Sequence, residues 1–549
     1  MKKNTSILNI LLVLAGIIVL NFLGNKFYKR FDLTQDHRYT LSEETVYLVD
    51  QISDPMSIKV YLEGDFPAEF NRIQTETRQH LEELQALNNN INFRFINPKT
   101  KTKELIKAGL QPSRLSVQED GHVSQAVIFP WAVINYKGKT EKVSLLSNAV
   151  AASQEEQLQN SIENLEYAFS NGLQKIISGK KKKIAVIRGN GELKDIYLFS
   201  ALKKLGEYYR LAEFTLDSVK KSPQKTLKEL TGYDMAIIAK PTERFTDKEK
   251  FTLDQFITNG GKILWMIDKV YADIDSLMTT GKMLAFNRDL NLTDQLFRYG
   301  VRINYNITKD LYCSTIRLAS GNTGNQTQYQ DFPWLYYPLI ITNNNNPITA
   351  HIDPVRLRFP STMDTLSNGI KKTILLKSSP YARPIGTPVE VSLEEVSQKP
   401  TKKYLNKGNQ IFGVLLEGEF TSAFADRIQP FKSELARKKS PANKMIVISD
   451  GDVIANEVFR GEPLELEKDT WTNLPYGNLD LIMNSAQYLM DDSGILNLRA
   501  KKLKIRFLDK EKAYSERQFW QMLNLIFPVL ILILFGFIFN FLRKRKYTS

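Results

Sequence analysis

The sequence has almost no residues suited to thiol or histidine chemistry. Of its 549 residues only Cys313 is a cysteine, and the four histidines, His37, His80, His122 and His351, stand far apart. A single cysteine excludes an intrachain disulfide framework, a site of several thiolates and a CxxC redox pair. The histidines have no HxxH or HExxH spacing, so any metal site would have to consist of carboxylates.

The glycine patterns of common nucleotide-binding loops are also missing. An apolar strand, Ile184–Ile187, runs into Gly189-Asn190-Gly191-Glu192, but Lys194 occupies the place of the third glycine in GxGxxG. The P-loop pattern GxxxxGK[ST] does not occur. These glycines favour a tight strand-to-helix turn, with a nucleotide site as the alternative.

The composition indicates neither disorder nor nucleic-acid binding. The chain is 42% hydrophobic and 24% charged, as in ordinary folded proteins, and its length predicts three or four domains. The formal net charge is +14, but much of the positive charge flanks two apolar runs, at Lys2, Lys3, Lys26, Lys29, Arg30 and a basic tetrapeptide near the C-terminus. Anionic lipid explains this distribution better than nucleic acid does, so we predict no nucleic-acid partner.

What the sequence does contain is a long apolar run near its end. Phe519–Leu542 carries no charge and is long enough, at 1.5 Å per residue, to cross the ~30 Å core of a bilayer. Trp520 stands at an interfacial position, and Arg543-Lys544-Arg545-Lys546 indicates the cytoplasmic end. Pro528 removes one backbone hydrogen bond and predicts a kink. A buried core helix is the alternative, but such helices rarely run this far without a charge.

A second apolar run, Ile7–Leu23, lies at the other end of the chain behind Lys2 and Lys3. It is longer than the apolar part of a signal peptide and no A-x-A-like site follows it, so an uncleaved anchor is favoured over a cleaved leader. Two spans place both termini in the cytoplasm and the body, about Phe31–Glu516, in the periplasm. The sequence thus predicts a two-pass protein of the inner membrane, with the lipid bilayer as one partner.

Between the two runs the periodicity predicts a membrane-anchored α/β protein. A β-α-β-α-β-β order after residue 40 resembles a thioredoxin-like module without its cysteines, and the strands from KIAVIRGNGEL onward predict a doubly wound parallel sheet. A single amphipathic helix is expected over Glu155–Ser178. The expected divisions are an N-terminal transmembrane anchor (1–30), the thioredoxin-like module (31–150), a connecting helix (151–179), an α/β domain (180–495) with a β-rich insertion (about 311–439), a linker (496–518) and a C-terminal transmembrane helix with its basic tail (519–549).

Two carboxylates follow the strand in KMIVISDGDVIANE. At the carboxyl end of a parallel strand, Asp450 and Asp452 could bind Mg²⁺ or activate water. The alternative, a loop whose carboxylates cap the following helix, is favoured because no base, nucleophile or phosphate loop completes a site. We therefore predict no catalytic residue, metal or cofactor. The candidate loop positions are these two aspartates and Gly189-Asn190-Gly191-Glu192.

Three segments, FDLTQDHRYTLSEET, VIRGNGEL and VISDGDVIANE, together with an apolar run at each end, resemble the GldG family. Its members are auxiliary subunits of gliding-motility ABC transporters in Bacteroidetes. The resemblance covers essentially the whole chain and implies a glutamine-amidotransferase-like second domain. The amidotransferase nucleophilic cysteine is missing here, and Asn190 stands where relatives often have histidine, so no enzymatic role carries over. The implied partners are a polytopic permease and a separate cytoplasmic ATPase, with a homo-oligomer within the complex as a further option.

Three functions compete. The first is a non-catalytic extracytoplasmic subunit of an ABC transporter, needed for gliding and associated secretion and docked on a permease by two helices. The second is a membrane-anchored envelope enzyme, which the missing catalytic constellations disfavour. The third is a free-standing polymer-binding protein, for which two membrane helices are more than tethering requires.

Overall fold

The computed structural model describes residues 16, 40–64, 68–119, 122–146, 154–178, 182–323, 326–342, 345–397, 403–491, 494–500 and 510–547. The predicted first span, Ile7–Leu23, lies outside the described residues except for Gly16, which is helical and exposed. The chain divides into two compact units, Met1–Lys501 and Lys502–Ser549.

The first part of the larger unit is a small mixed sheet with helices. Ser42 begins its first helix as predicted, since the Ser42 hydroxyl accepts a hydrogen bond from the Thr45 amide at 3.2 Å. The sheet order is β2-β1-β5-β6, with β1 parallel to β2 and antiparallel to β5, while β3 and β4 form a separate hairpin. The elements are α1 (Glu43–Asp50), β1 (Met56–Val60), α2 (Ala68–Leu87), β2 (Ile91–Phe95), α3 (Thr102–Lys107), β3 (Ser113–Glu119), β4 (His122–Ile128), β5 (Trp131–Tyr136) and β6 (Lys139–Ser144).

The expected single helix over Glu155–Ser178 is two helices. The first, α4, covers Gln154–Glu163 and the second, α5, covers Leu165–Ser178, with a turn at Asn164. The apolar positions keep helical spacing on both sides of the turn, which is why the sequence does not reveal the break. Leu158, Ile162 and Phe169 are buried as their periodicity predicts.

The second part is built on a sheet of nine strands within the described residues. Five parallel strands lie in the order β8-β7-β9-β10-β23, and β22 joins β23 in antiparallel pairing. The central strands are apolar at nearly every position, as expected when both faces of a parallel sheet are covered. The elements are β7 (Lys183–Arg188), α6 (Phe199–Tyr208), β8 (Arg210–Thr215), α7 (Pro223–Leu230), β9 (Met235–Ala239), α8 (Asp247–Thr258), β10 (Lys262–Met266), β22 (Ile411–Thr421), β23 (Lys439–Ile448) and α11 (Asn478–Met490).

The β-rich stretch expected as an insertion contributes to two regions. Three of its strands, β18, β19 and β22, belong to the main sheet, where their apolar residues extend the core. The others form small sheets around a second apolar core containing Trp334 and Tyr336. The further elements are β11 (Val270–Tyr271), α9 (Ile274–Thr280), β12 (Lys282–Asn287), α10 (Thr293–Tyr299), β13 (Val301–Ile303), β14 (Asn306–Asp310), β15 (Cys313–Thr323), β16 (Gln326–Ile340), β17 (Val355–Arg356), β18 (Met363–Thr365), β19 (Lys371–Lys377), β20 (Ala382–Gly386), β21 (Val389–Ser392), β24 (Val458–Phe459) and β25 (Glu462–Pro463).

Strands β15 and β16 form a long antiparallel ribbon. Their pairing runs from Cys313 to Thr323 on one strand, with irregularities on either side of the Thr315–Ala319 stretch. No residue from Leu318 to Gln330 is charged, and the described side chains of the far end are exposed, Tyr329 by 64%. The outer part of the ribbon, from Leu318 to Gln330, is therefore a polar, uncharged arm, and the base of the ribbon lies in the second apolar core.

The described residues of the smaller unit form two helices, α12 (Lys510–Ser515) and α13 (Arg517–Tyr547). Within α13, Arg517–Arg545 is long and apolar enough to cross a membrane, and it is the one such helix in the described part of the chain. Its 29 residues span about 43 Å at 1.5 Å per residue, and none of its apolar window is buried. Pro528 lies inside the helix, which continues through it.

Candidate functional site

The carboxyl edge of the parallel strands gathers the loops that the sequence singles out. Gly189–Glu192 follows β7, and Asp450 and Asp452 follow β23. The strand order β8-β7-β9-β10-β23 is 2-1-3-4-5 in chain order, so the winding reverses at β7. Open parallel sheets bind ligands at this edge, close to such a reversal.

The Gly189–Glu192 loop, at this reversal, is hydrogen-bonded to the loop that follows β9. The Asn190 carbonyl accepts hydrogen bonds from the amides of Thr242 and Glu243, both at 2.9 Å, and its side-chain amide donates to Glu249 at 3.2 Å. Gly191 has φ +70°, and a Cβ there would lie 2.1 Å from Thr242 Oγ1. Glycine is therefore required by a close approach between the loops that follow β7 and β9.

Glu249 connects this loop to the start of a buried helix. Thr246 caps α8 by accepting from the Glu249 amide, and the Glu249 carboxylate accepts in return from the Thr246 amide at 2.8 Å. The same carboxylate oxygen accepts the hydrogen bond from the Asn190 side-chain amide. The contacts of Asn190 are thus those of a tight turn anchored on a capping box.

Three carboxylates converge at the neighbouring strand ends. Carboxylate oxygens of Asp268, Asp450 and Asp452 lie within 4.8 Å of one another. The Asp450 carboxylate accepts from the amides of Asp452 at 2.7 Å and Arg358 at 2.6 Å, and Asp268 accepts from the amide of Gly451. Asp450 thereby orders the short 3-10 turn that begins at Asp452.

Lys240, the first residue after β9, supplies the positive charge of this cluster. Its Nζ lies 2.6 Å from both Asp452 carboxylate oxygens and 3.5 Å from Asp268. The backbone of Lys240 has φ +51°, which is uncommon for a residue with a side chain. Three carboxylates are the ligands of a hard divalent cation, but here an ammonium group occupies the coordinating side of Asp452.

Burial and neighbouring charges shift the pKa values of these groups in different directions. Burial, together with Asp268 and Asp452, raises the pKa of Asp450 well above 3.8. Burial also acts to raise the pKa of Asp452, but Lys240 and Arg358 outweigh it and lower the value. For Lys240, burial acts to lower the pKa, and Asp452 and Asp268 reverse this, so its pKa is raised. Lys240 is thus a charged partner rather than a neutral base.

A cleft of about 460 Å³ opens beside this cluster. Its walls come from the edge of the main sheet, from α9, from the ribbon and from the segment after β23. The lining combines charged, apolar and aromatic side chains, among them Lys240, Arg317, Arg356, Arg358, Asp452, Glu457, Asp469, Ile274, Met278, Ile316, Tyr197, Tyr337 and Trp471.

The basic side chains of the cleft are paired with acids. Glu457 Oε1 lies 2.9 Å from the Arg356 guanidinium and 2.5 Å from that of Arg358, and Asp469 lies 3.6 Å from Arg356. Arg317 pairs with Asp331 through hydrogen bonds of 2.9 and 2.8 Å. Burial acts to raise the pKa of Glu457, but the two arginines lower it overall. The basic side chains of the cleft wall are therefore paired with acids. Two further acids on α9, Asp273 and Asp275, also line the cleft, so acids outnumber bases in the lining. Asp273 caps α9 by accepting from the amides of Asp275 and Ser276.

The structure brings the predicted loops to one edge but into different surroundings. Asp452 lines the cleft, while Gly189-Asn190-Gly191-Glu192 is engaged with the loop after β9 and only the next residue, Leu193, reaches the cleft. Sequence reasoning missed Lys240, Asp268, Arg358 and Glu457. A signal was present for the first two, because each follows an apolar strand, in MAIIAK and in WMID.

The predicted membrane residues lie on α13. Trp520 is in its first turns, where the indole Nε1 donates to Glu516 at 3.0 Å. Arg543, Lys544 and Arg545 are exposed in its last turns, and the helix includes Lys546.

Comparisons with known proteins match two separate parts of the chain to families. A family model described as "ABC-type uncharacterized transport system" matches residues 181–485, more than half of the chain, and a domain of unknown function, DUF7088, matches residues 35–135. An uncharacterized protein of Borreliella burgdorferi is 22% identical over 558 residues, covering 99% of each chain. A solved structure titled "mmIFT52 N-terminal domain" aligns over 57% of this chain and 99% of its own, with 13% identity and a TM-score of 0.32, which is too low to support an inference.

Proposed function

Because the chain belongs to the auxiliary family of ABC-type transport systems, we propose that it is a non-catalytic subunit that docks on the transporter's permease through its membrane helices. The observation that carries this proposal is α13, whose apolar window is entirely exposed in a chain otherwise rich in buried apolar cores. Such a helix is covered by lipid or by another membrane helix. The family match supports a transporter complex as the assembly in which α13 is covered by another membrane helix.

The finer assignment is to a GldG-type subunit that serves gliding motility and associated secretion. It is supported by the segments FDLTQDHRYTLSEET, VIRGNGEL and VISDGDVIANE. In this proposal Ile7–Leu23 is a second span, both termini are cytoplasmic and the body lies in the periplasm of an inner membrane. A polytopic permease and a separate cytoplasmic ATPase are the partners, and more than one copy can be present in the complex.

The body is proposed to be a thioredoxin-like module followed by an amidotransferase-like domain. The order β2-β1-β5-β6, with its parallel and antiparallel pairs, supports the first, and the 2-1-3-4-5 parallel order supports a doubly wound second domain. A role without catalysis is supported by the surroundings of the candidate positions. Asn190 holds two loops together, and Asp452 is neutralised by Lys240.

Docking can be tested by exchanging the spans. Both Ile7–Leu23 and Phe519–Leu542 are replaced by polyleucine of equal length, with the flanking charges kept, and the chain is purified in a mild detergent. We expect the permease and ATPase to be lost from the purified material, because polyleucine keeps the hydrophobic length but removes Asn524, Gly536 and Pro528. Recovery at the wild-type level would place the contact in the body instead.

The absence of catalysis has its own test. The double substitution Asp450→Asn and Asp452→Asn is introduced into the assembled transporter, and its ATPase activity is measured together with the thermal stability of the subunit. We expect reduced stability and unchanged ATPase activity, because both side chains serve a loop and an ion pair. A double variant of normal stability that abolishes transporter function would favour a chemical site at this loop.

A further inference from the structure

The cleft beside Lys240 has the features of a ligand site that the auxiliary role does not explain. It is concave, it lies at the carboxyl edge of the parallel strands, and its walls come from segments between Leu193 and Trp471. We propose that this cleft binds a neutral saccharide. The proposal goes beyond the transporter role and does not depend on it.

The first argument is charge. All four basic side chains of the cleft already have acidic partners. Lys240 pairs with Asp452 and Arg317 with Asp331, while Arg356 and Arg358 share Glu457. An anionic ligand would face those acids together with Asp273 and Asp275 on α9, and a cationic ligand would face the three arginines, so either would approach side chains of its own charge. A neutral ligand with many hydroxyl groups meets neither penalty and can share hydrogen bonds with both kinds of side chain.

The second argument is the mixture of polar and apolar surface. Saccharide rings carry hydroxyl groups at their edges and patches of C–H bonds on their faces. The cleft offers apolar side chains at Ile274, Met278 and Ile316 next to the ionic network. Met278 is 43% exposed, so an apolar contact is available at the opening of the cleft.

The third argument is Trp471, which is 46% exposed although it is the largest apolar side chain in the lining. Its ring is held in place by an edge-to-face contact with Phe459 at 5.8 Å and by the Arg317 guanidinium at 5.2 Å from its centroid. Asp469 fixes the backbone by accepting from the Trp471 amide at 3.0 Å. An indole that is both exposed and immobilised loses little entropy when a sugar face stacks on it.

Binding can be measured on an array of immobilised glycans with the full chain. The detergent must carry no sugar, so an amine-oxide detergent replaces a maltoside, which would itself occupy the cleft. The probes are neutral oligomers of hexose and N-acetylhexosamine, with uronate-containing and phosphorylated oligomers of equal length for comparison. We expect binding to neutral oligomers alone. No binding to any neutral oligomer, or equal binding to acidic ones, would overturn the proposal.

Two variants locate the binding in the cleft. Trp471→Ala removes the stacking surface and is expected to weaken affinity roughly tenfold or more, as truncation of a central aromatic does. Met278→Trp fills the opening and should weaken binding similarly while keeping an exposed apolar residue. Tyr329→Ala, at an even more exposed aromatic on the ribbon arm, is the matched control and should bind like the wild type. Wild-type binding by both cleft variants would contradict the assignment.

The same variants separate this proposal from the transporter role. Trp471→Ala should retain the permease and ATPase in mild detergent, because the cleft is not needed for docking by the membrane helices. Loss of glycan binding with retained co-purification is the expected pattern. If the wild type co-purifies with the transporter but binds no glycan, the saccharide site is wrong and the auxiliary role is unaffected.

Discussion

At the end of β9, Lys240 has a positive φ and directs its ammonium group to Asp452 and Asp268. Its side chain is only 18% exposed, so it has given up most of its hydration. Buried pairs add little stability relative to apolar substitutes, but removing one partner leaves an uncompensated charge. Among substitutions in this cluster, loss of the Lys240 ammonium group should therefore reduce the stability of the fold most.

We expect Lys240→Met to lower the free energy of unfolding by about 3 kcal/mol, because the Asp452 carboxylate remains buried without its partner. In the variant, three clustered carboxylates become available to a divalent cation. Millimolar Mg²⁺ or Ca²⁺ should therefore raise the melting temperature of the variant more than that of the wild type. Intrinsic fluorescence during heating measures both effects.

Lys225→Met is the control for this experiment. Lys225 is 76% exposed, and its substitution should change neither stability nor the response to divalent cations. A Lys240→Met protein as stable as this control would show that the ion pair is not needed to hold the loops together.

Glu457 gives a prediction for pH dependence. Its pKa is lowered from 4.5 in the folded chain by Arg358 and Arg356, which outweigh burial. A lowered pKa means that the stability Glu457 contributes is present above pH 4.5 and is lost as pH falls through the folded value. Glu457→Gln should cost about 2 kcal/mol at neutral pH, less than a fully buried pair because the side chain is 36% exposed.

The measurement is the free energy of unfolding from pH 7 to pH 3 for both proteins. The difference between wild type and Glu457→Gln should shrink on acidification, since the wild type loses the charge that the variant never had. A constant difference across this range would indicate that Glu457 acts through packing or hydrogen bonds rather than through its charge.

At the scale of the elements, the loop after β23 contacts the loop after β9 where Gly451 packs against Lys240. Gly451 has an ordinary φ of −79°, but a Cβ there would lie 2.6 Å from Lys240 Cβ and 2.9 Å from its Cα. No side chain larger than hydrogen fits between these two strand ends. The position requires glycine because of close approach and not because of backbone conformation.

Gly451→Ala should therefore destabilise the chain by roughly 1–3 kcal/mol, because the two strand-end loops must separate. Gly386→Ala is the matched control, since a Cβ there meets nothing within 4 Å. Thermal unfolding of the two variants tests the difference. Equal melting temperatures would mean that the loops can move apart at no cost.

The sequence predicts these elements better than it predicts their contacts. Apolar runs such as Met235–Ala239 identify the buried strands because a parallel sheet covers both faces. Local patterns also reveal Ser42 as a cap and Asp450 and Asp452 as residues at a strand end. They do not reveal the Lys240–Asp452 pair, whose members are 212 positions apart and meet only because β9 and β23 end at the same edge. The assignment of β22 to the main sheet has the same long-range origin.

At the scale of the whole molecule, α13 is the feature that a soluble fold cannot accommodate. Its apolar window is entirely exposed, and its basic last turns include Arg543 and Arg545. The positive-inside rule then predicts that the C-terminus is cytoplasmic. With a second span at the other end, the body is expected on the opposite side of the membrane.

Cysteine labelling tests this topology. Single cysteines are placed at Ser367, which is exposed in the body, and at Ser549, in a Cys313→Ser background. In intact spheroplasts a membrane-impermeant maleimide should modify the first and not the second, and both should react after lysis. Modification of Ser549→Cys alone in intact spheroplasts would reverse the predicted orientation.

The uncharged ribbon arm also allows the chain to be divided. A protease site inserted after Thr323 lies at the far end of the arm, away from both cores, where insertions are tolerated best. The main sheet contains β10 from before the cut and β22 and β23 from after it, joined by continuous backbone pairing. Cleavage should therefore yield two fragments that remain one folded particle on a sizing column and separate only in denaturant. The subunit would then be a split protein, and its halves could be expressed separately and recombined.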